Sequence, residues 1–275
     1  MSVTDMPTMA SAVRMRPTGH IGTNVLASEW TKLRSVRSTY WTLFTAAVLT
    51  IGLSAIICAV FVAQYASLTA EDRAGFDAAS GSLTGGILAQ FAIAVLGVLV
   101  ITSEYATGMI RTTFAAVPQR LTAYAAKVAV FGAVTLAVTT AACFLAFFAG
   151  QAILSAKDIG VSIGAPNALR TVIGTSLYLT ILGLLSLGLG TVLRKTAGAI
   201  SAVVGILFVL PVLASFLPKS LEVIQKYLPS NAGQEIIGGA GGPNTLTPWV
   251  GMGVFFLYAV VALGAGAVTL VRRDA

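Results

Sequence analysis

The sequence predicts an all-α polytopic membrane protein: six transmembrane helices, both termini cytoplasmic, and an amphipathic interfacial elbow helix ahead of the first span. Three observations predict it. Only 10% of the 275 residues are charged and 56% are hydrophobic, whereas a soluble domain carries about 25% charged residues. Six charge-free windows, each longer than 20 residues, cover 38–70, 78–103, 128–156, 171–193, 196–218 and 236–271. A helix rising about 1.5 Å per residue needs roughly 20 apolar residues to cross about 30 Å of hydrocarbon, and the alternation of a membrane barrel strand is absent. Finally, of the 17 Lys and Arg residues, only Arg73, Lys157, Arg170, Lys219 and Lys226 fall on the side opposite the termini. The other 12 share the side of the termini, which the positive-inside bias makes cytoplasmic.

Taken in order, residues 1–20 read as a mobile cytoplasmic tail with no apolar core of the kind a cleaved signal needs. Over 21–37, Ile21, Val25, Leu26, Trp30, Leu33 and Val36 fall on one half of a helix, and Asn24, Ser28, Thr31, Arg34 and Ser35 on the other. That elbow helix is too polar to span and belongs in the interface, with Trp30 at headgroup depth. Glu29 interrupts its apolar arc, with Lys32 three residues on; the two read either as a neutralised surface pair or as a contact with another protein. The six-helix domain occupies 38–275, with spans at about 40–62, 85–102, 128–153, 171–193, 197–217 and 249–271. Between spans two and three, Ile110, Phe114 and Val117 share one face of a short cytoplasmic helix that Pro118 ends, while Arg111 and Thr112 point elsewhere. Arg194 and Lys195 make a tight turn into span five, where Pro211 predicts a kink. Two short amphipathic pieces, 218–228 and 231–237, precede span six. Ser186 and Gly190, four apart in span four, permit a close helix contact.

Several function classes are excluded. Ion-coupled carriers, voltage sensors and intramembrane enzymes need ionisable groups at depth, and the interiors of these span segments hold none. The single His lies in the tail, so no Ser–His pair is available, and no HExxH motif is present. No Gly-Lys dipeptide occurs, so the chain carries no P-loop; it reads as a non-enzyme without cofactor, metal or catalytic residue. Cys58 and Cys143 sit in spans as small apolar side chains. Nothing suits nucleic acid. The polar residues within spans, Gln90 and Ser201 among them, bond neighbouring helices or face a substrate path.

Three segments are familiar together: SEWTKLRSVRSTYW before span one, EYATGMIRTTFAAVPQR after span two with Lys127 opening span three, and KYLPSNAG before span six. They resemble the permease subunits of type-2 ATP-binding-cassette (ABC) exporters, the short bacterial half-transporter kind, over roughly 22–273. The resemblance implies an elbow helix containing Glu29, Trp30, Lys32 and Leu33. It implies a coupling helix, with Glu104, Thr107, Gly108, Ile110, Arg111, Thr112 and Arg120, that docks onto a separate ATPase binding ATP and Mg. It further implies two permease chains, as a homodimer or heterodimer, with two ATPase copies in the bacterial plasma membrane. The expected activity is export of a hydrophobic or amphipathic substrate by alternating access. The competing reading is a membrane anchor or sensor that recruits a cytoplasmic signalling partner without transport.

Overall fold

The computed structural model describes residues 21–117, 119–216, 218, 222–238 and 245–272; the tail expected over 1–20 lies outside them. Every regular element among these residues is helical. In chain order they are α1 (Ile21–Ser35), α2 (Arg37–Gln64), α3 (Ala70–Gly75), α4 (Ala78–Gly81), α5 (Gly86–Ala106), α6 (Met109–Ala116) and α7 (Arg120–Leu154). There follow α8 (Ala168–Leu193), α9 (Thr196–Val204), a π-helical turn over Gly205–Val209, α10 (Leu210–Ala214), α11 (Glu222–Gln225), α12 (Pro229–Gln234) and α13 (Pro248–Arg272). Six of these stretches are long and apolar enough to cross a membrane, with α9 to α10 counting as one. The chain is an all-α, multi-pass membrane protein.

The central helix is α8, which packs against α5, α7 and α13 and is the most buried span. Its composition explains the position. Lipid tails are as apolar as leucine, so membrane helices associate through close packing of small residues rather than through hydrophobicity alone. Ser186 is fully buried, and a Cβ added at Gly190 would meet Ile101 Cγ2 at 2.8 Å. Deeper in the same seam, Gly97 of α5 lies directly on the carbonyl of Gly183, with no room for a side chain. The close contact expected from Ser186 and Gly190 is therefore present, and α5 is the helix it admits.

Pro211 cannot donate to the carbonyl of Leu207 four residues earlier, and its ring crowds that turn. The backbone widens into the π turn Gly205–Val209 just before it, the usual response to an interrupted helical ladder. Phe208 in that turn stacks on Phe91 of α5, ring centroids 4.3 Å apart. The interruption expected in span five thus takes the form of a π-helical turn just ahead of the proline.

Helices α5 and α7 extend beyond the span boundaries read from hydropathy. The expected spans were 85–102 and 128–153, but α5 continues to Ala106 and α7 begins at Arg120. Two ionisable groups, Glu104 and Lys127, are thereby carried inside long helices. The expectation that the span helices hold no buried charge is corrected on this point: each charge is neutralised by a neighbour, which hydropathy cannot register. Pro118, Leu217, which closes span five in the sequence reading, and residues 219–221 of the next amphipathic piece, Leu221 of its apolar face included, lie outside the described residues.

Candidate functional site

The bundle end that carries α1 and α6 is built around four charged side chains. Lys127 Nζ of α7 donates to Glu29 Oε2 of α1 at 2.5 Å and to Glu104 Oε1 of α5 at 2.8 Å. Lys32 Nζ, one turn after Glu29, donates to Glu29 Oε1 at 2.6 Å and to Thr113 Oγ1 of α6 at 3.0 Å. Its distance to Glu104 Oε1 is 3.6 Å. Glu29, Glu104 and Lys127 are buried, and the Lys32 side chain is 27% exposed. Two carboxylates and two ammonium groups leave the network formally neutral. It joins α1, α5, α6 and α7 in one set of bonds.

Burial makes that joint stiff. Desolvating an ion is expensive, and mutual attraction offsets the cost only with good geometry. Glu104 Oε2 is sealed, with no hydrogen-bond partner among the described residues, so withdrawing Lys127 would leave both carboxylates in a medium that cannot solvate them. The pair that the sequence offered between Glu29 and Lys32 is present, but Glu29 is buried rather than on the surface, because its place in the apolar arc also aims it at Lys127. The arc itself divides: Val25 is buried and Leu33 half-buried against the bundle, whereas Leu26 and Trp30 are exposed.

Helix α6 is launched by a glycine. Thr107 caps α5, its hydroxyl donating to the carbonyl of Ser103 at 2.9 Å, and Gly108 takes φ 71. That left-handed conformation costs an L-residue with a Cβ roughly 1–2 kcal/mol, which accounts for the Thr-Gly pair at a sharp change of direction. Past the turn, Ile110 is buried among Ile101, Tyr124 and Leu270. Phe114 and Val117 are half-buried on the same side, packed against Val25, Ala123 and Ala126. Arg111 and Thr112 are exposed, with Ala115 and Ala116 beside them. The shared apolar face read from the sequence is present, and the free face of α6 is basic and small.

The residues expected to contact a docking partner therefore separate. Thr107, Arg111 and Thr112 are accessible. Glu104 and Ile110 are not, being consumed by the charge network and the core. Arg120 faces inward: its Nη1 donates to the carbonyl of Leu270 in α13 at 3.0 Å, and its guanidinium lies 5.5 Å from the Phe114 ring. Arg194 makes the matching contact, donating to the carbonyl of Thr269 at 3.2 Å with its guanidinium over the Tyr105 ring. The sequence reading placed Lys127, Thr113 and Arg194 on this side of the spans but gave none of them a role in the site. Lys127 had a readable signal, since helix periodicity runs unbroken from Leu121 through it.

The opposite end uses neutral groups. Gln90 is buried, its Oε1 accepting from Tyr178 Oη at 2.7 Å and its Nε2 donating to the Ile87 carbonyl at 2.8 Å. Both amide atoms are occupied, so Gln90 braces α5 against α8, at the inner wall of a cavity of about 460 Å³ that Thr175, Asp77 and Gln234 also line. Ser201 is exposed on α9, away from that cavity. Cys58 and Cys143 are buried free thiols. No protein-family model matches the chain, and no curated protein matches it.

Proposed function

We propose that this chain is the membrane-spanning permease subunit of an ABC-type exporter, driven by a separate ATP-hydrolysing subunit that docks on α6. One observation carries the reading. A short helix stands at the end of the bundle with its basic face free, and Lys32 and Thr113 tie its other face into a network spanning α1, α5 and α7. A force applied at Arg111 passes through that network into two spans instead of bending a loop. The sequence supports the orientation that this requires, with α6 and both termini cytoplasmic, through its basic bias on that side.

The working unit is two permease chains and two ATPase subunits in a bacterial plasma membrane. Rocking of α6 drives alternating access between the chains. The cargo class follows from the spans, where no unpaired charge is available for a small hydrophilic ion; a hydrophobic or amphipathic molecule suits them. The test is gentle solubilisation of tagged protein from its native membrane, followed by identification of the co-purifying chains. A P-loop ATPase at one copy per permease is expected, and Arg111→Glu should lose it while remaining folded. A lone chain after crosslinking, or an Arg111→Glu variant with normal ATPase binding and transport, overturns the proposal.

A further inference from the structure

We propose that the cavity beside the charge network binds an anionic glycerophospholipid, its phosphate at the start of α2 and an acyl chain along α5 and α7. The inference stands apart from the transport reading, since any function of this chain would leave the site in place. The cavity measures about 110 Å³ and lies between α1, the first turn of α2, the last turns of α5 and the second and third turns of α7. Its lining is two-natured. Leu96, Leu99, Val100 and Val130 form an apolar wall, and the last three are only half-buried, so the wall opens along the spans. Lys32, Ser38, Thr39 and Ser103 line the polar part.

Several features point to an anion there. The helix α2 begins after Val36, which offers no side-chain cap; the Thr39 amide turns back to the Val36 carbonyl at 3.1 Å, and the amides of Arg37 and Ser38, at the positive end of a 28-residue dipole, are left for another acceptor. Lys32 spends two of its three N–H groups on Glu29 and Thr113 and is the partly exposed member of the network. Thr39 is 6% exposed, lines the cavity, and its hydroxyl makes no hydrogen bond among the described residues. The carboxylates of Glu29 and Glu104 also border the cavity, but the ammonium groups of Lys127 and Lys32 balance their charge, and exposed Arg34 and Arg37 make the surroundings positive. Exposed Trp30, Tyr40 and Trp41 lie on either side of the same helix junction along the chain, as aromatic side chains do at headgroup depth. A free phosphate would fill the polar part and leave the apolar wall uncovered, whereas a phospholipid fills both.

The test titrates delipidated protein in detergent with dioleoylphosphatidylglycerol, dioleoylphosphatidylcholine or inorganic phosphate and counts bound molecules by native mass spectrometry. One phosphatidylglycerol per chain should bind about tenfold tighter than phosphatidylcholine, as expected for a charge-assisted phosphate contact. Thr39→Val, nearly isosteric, should weaken it several-fold, and Val100→Trp, which fills the lipid-facing wall, should abolish it. Equal retention of the two lipids overturns the proposal. So does unchanged phosphatidylglycerol binding in Val100→Trp, or its displacement by inorganic phosphate alone, which would mark a free-phosphate site.

Discussion

The two ends of the bundle solve the same problem with different chemistry. Each must hold short helices and chain reversals against the spans, and each buries polar groups to do so. At the far end the fully buried polar residues are neutral. Gln90 pairs with Tyr178, Gln151 Nε2 donates to Ser82 Oγ at 2.9 Å while its Oε1 accepts from the Val161 amide at 2.7 Å, and Ser54 Oγ accepts from the Gly85 amide at 3.0 Å. An amide or hydroxyl carries its own donor and acceptor, so each pair is satisfied locally and can be lost alone. At the charged end, Lys127 serves two carboxylates and Lys32 serves Glu29 and Thr113. No member is satisfied without the others. The far end is a set of separate ties, and the charged end is one interlocked joint, suited to passing displacement between helices.

Substitutions can break or sharpen that contrast. Lys127→Ala has the largest expected effect: it removes the cation bonded to buried Glu104 and one of the two bonded to buried Glu29, and should cost about 3–5 kcal/mol, read as a fall in thermal midpoint in detergent. Interlocking also predicts that Lys127→Ala combined with Glu29→Ala loses clearly less than the sum of the single losses. Next comes Gly97→Ala in the seam that joins the ends, where a methyl meets the Gly183 carbonyl and overpacking costs about 1–3 kcal/mol. Gly108→Ala should cost about 1–2 kcal/mol because φ 71 is retained or the turn into α6 shifts. Tyr178→Phe deprives Gln90 Oε1 of its donor for about 1 kcal/mol, and its loss should add to that of Gln151→Leu within about 0.5 kcal/mol. Strong coupling between those two far-end variants would erase the contrast. Arg111→Glu, on the free face of α6, should change stability by less than about 0.5 kcal/mol.

Much of the architecture is legible because membrane insertion writes it in composition. Charge-free runs of the required length locate all six spans, and the short helix with Ile110 inward and Arg111 outward follows from periodicity alone. Span ends are less legible. Hydropathy stops at the first charge, so Glu104 and Lys127 read as the edges of α5 and α7 although both lie within the helices. Their pairing was hidden for the same reason. Glu29 and Lys127 are 98 residues apart, and nothing in a local pattern reports that α1 folds back onto α7. Arg120 read as part of the docking segment and Arg194 as a turn cation, but their guanidinium groups reach the last carbonyls of α13, contacts that only the packing of α13 against α7 and α8 creates.

The most direct measurement of the central claim is ATP hydrolysis by the proposed permease–ATPase complex, reconstituted with Lys32→Met. That change removes the bonds of Lys32 to Glu29 and Thr113 and touches neither the exposed face of α6 nor the Lys127 side chain. The account predicts that the ATPase stays bound at the wild-type ratio while permease-stimulated turnover falls several-fold. A membrane preparation with no ATPase attached, or wild-type stimulation by Lys32→Met, would contradict it.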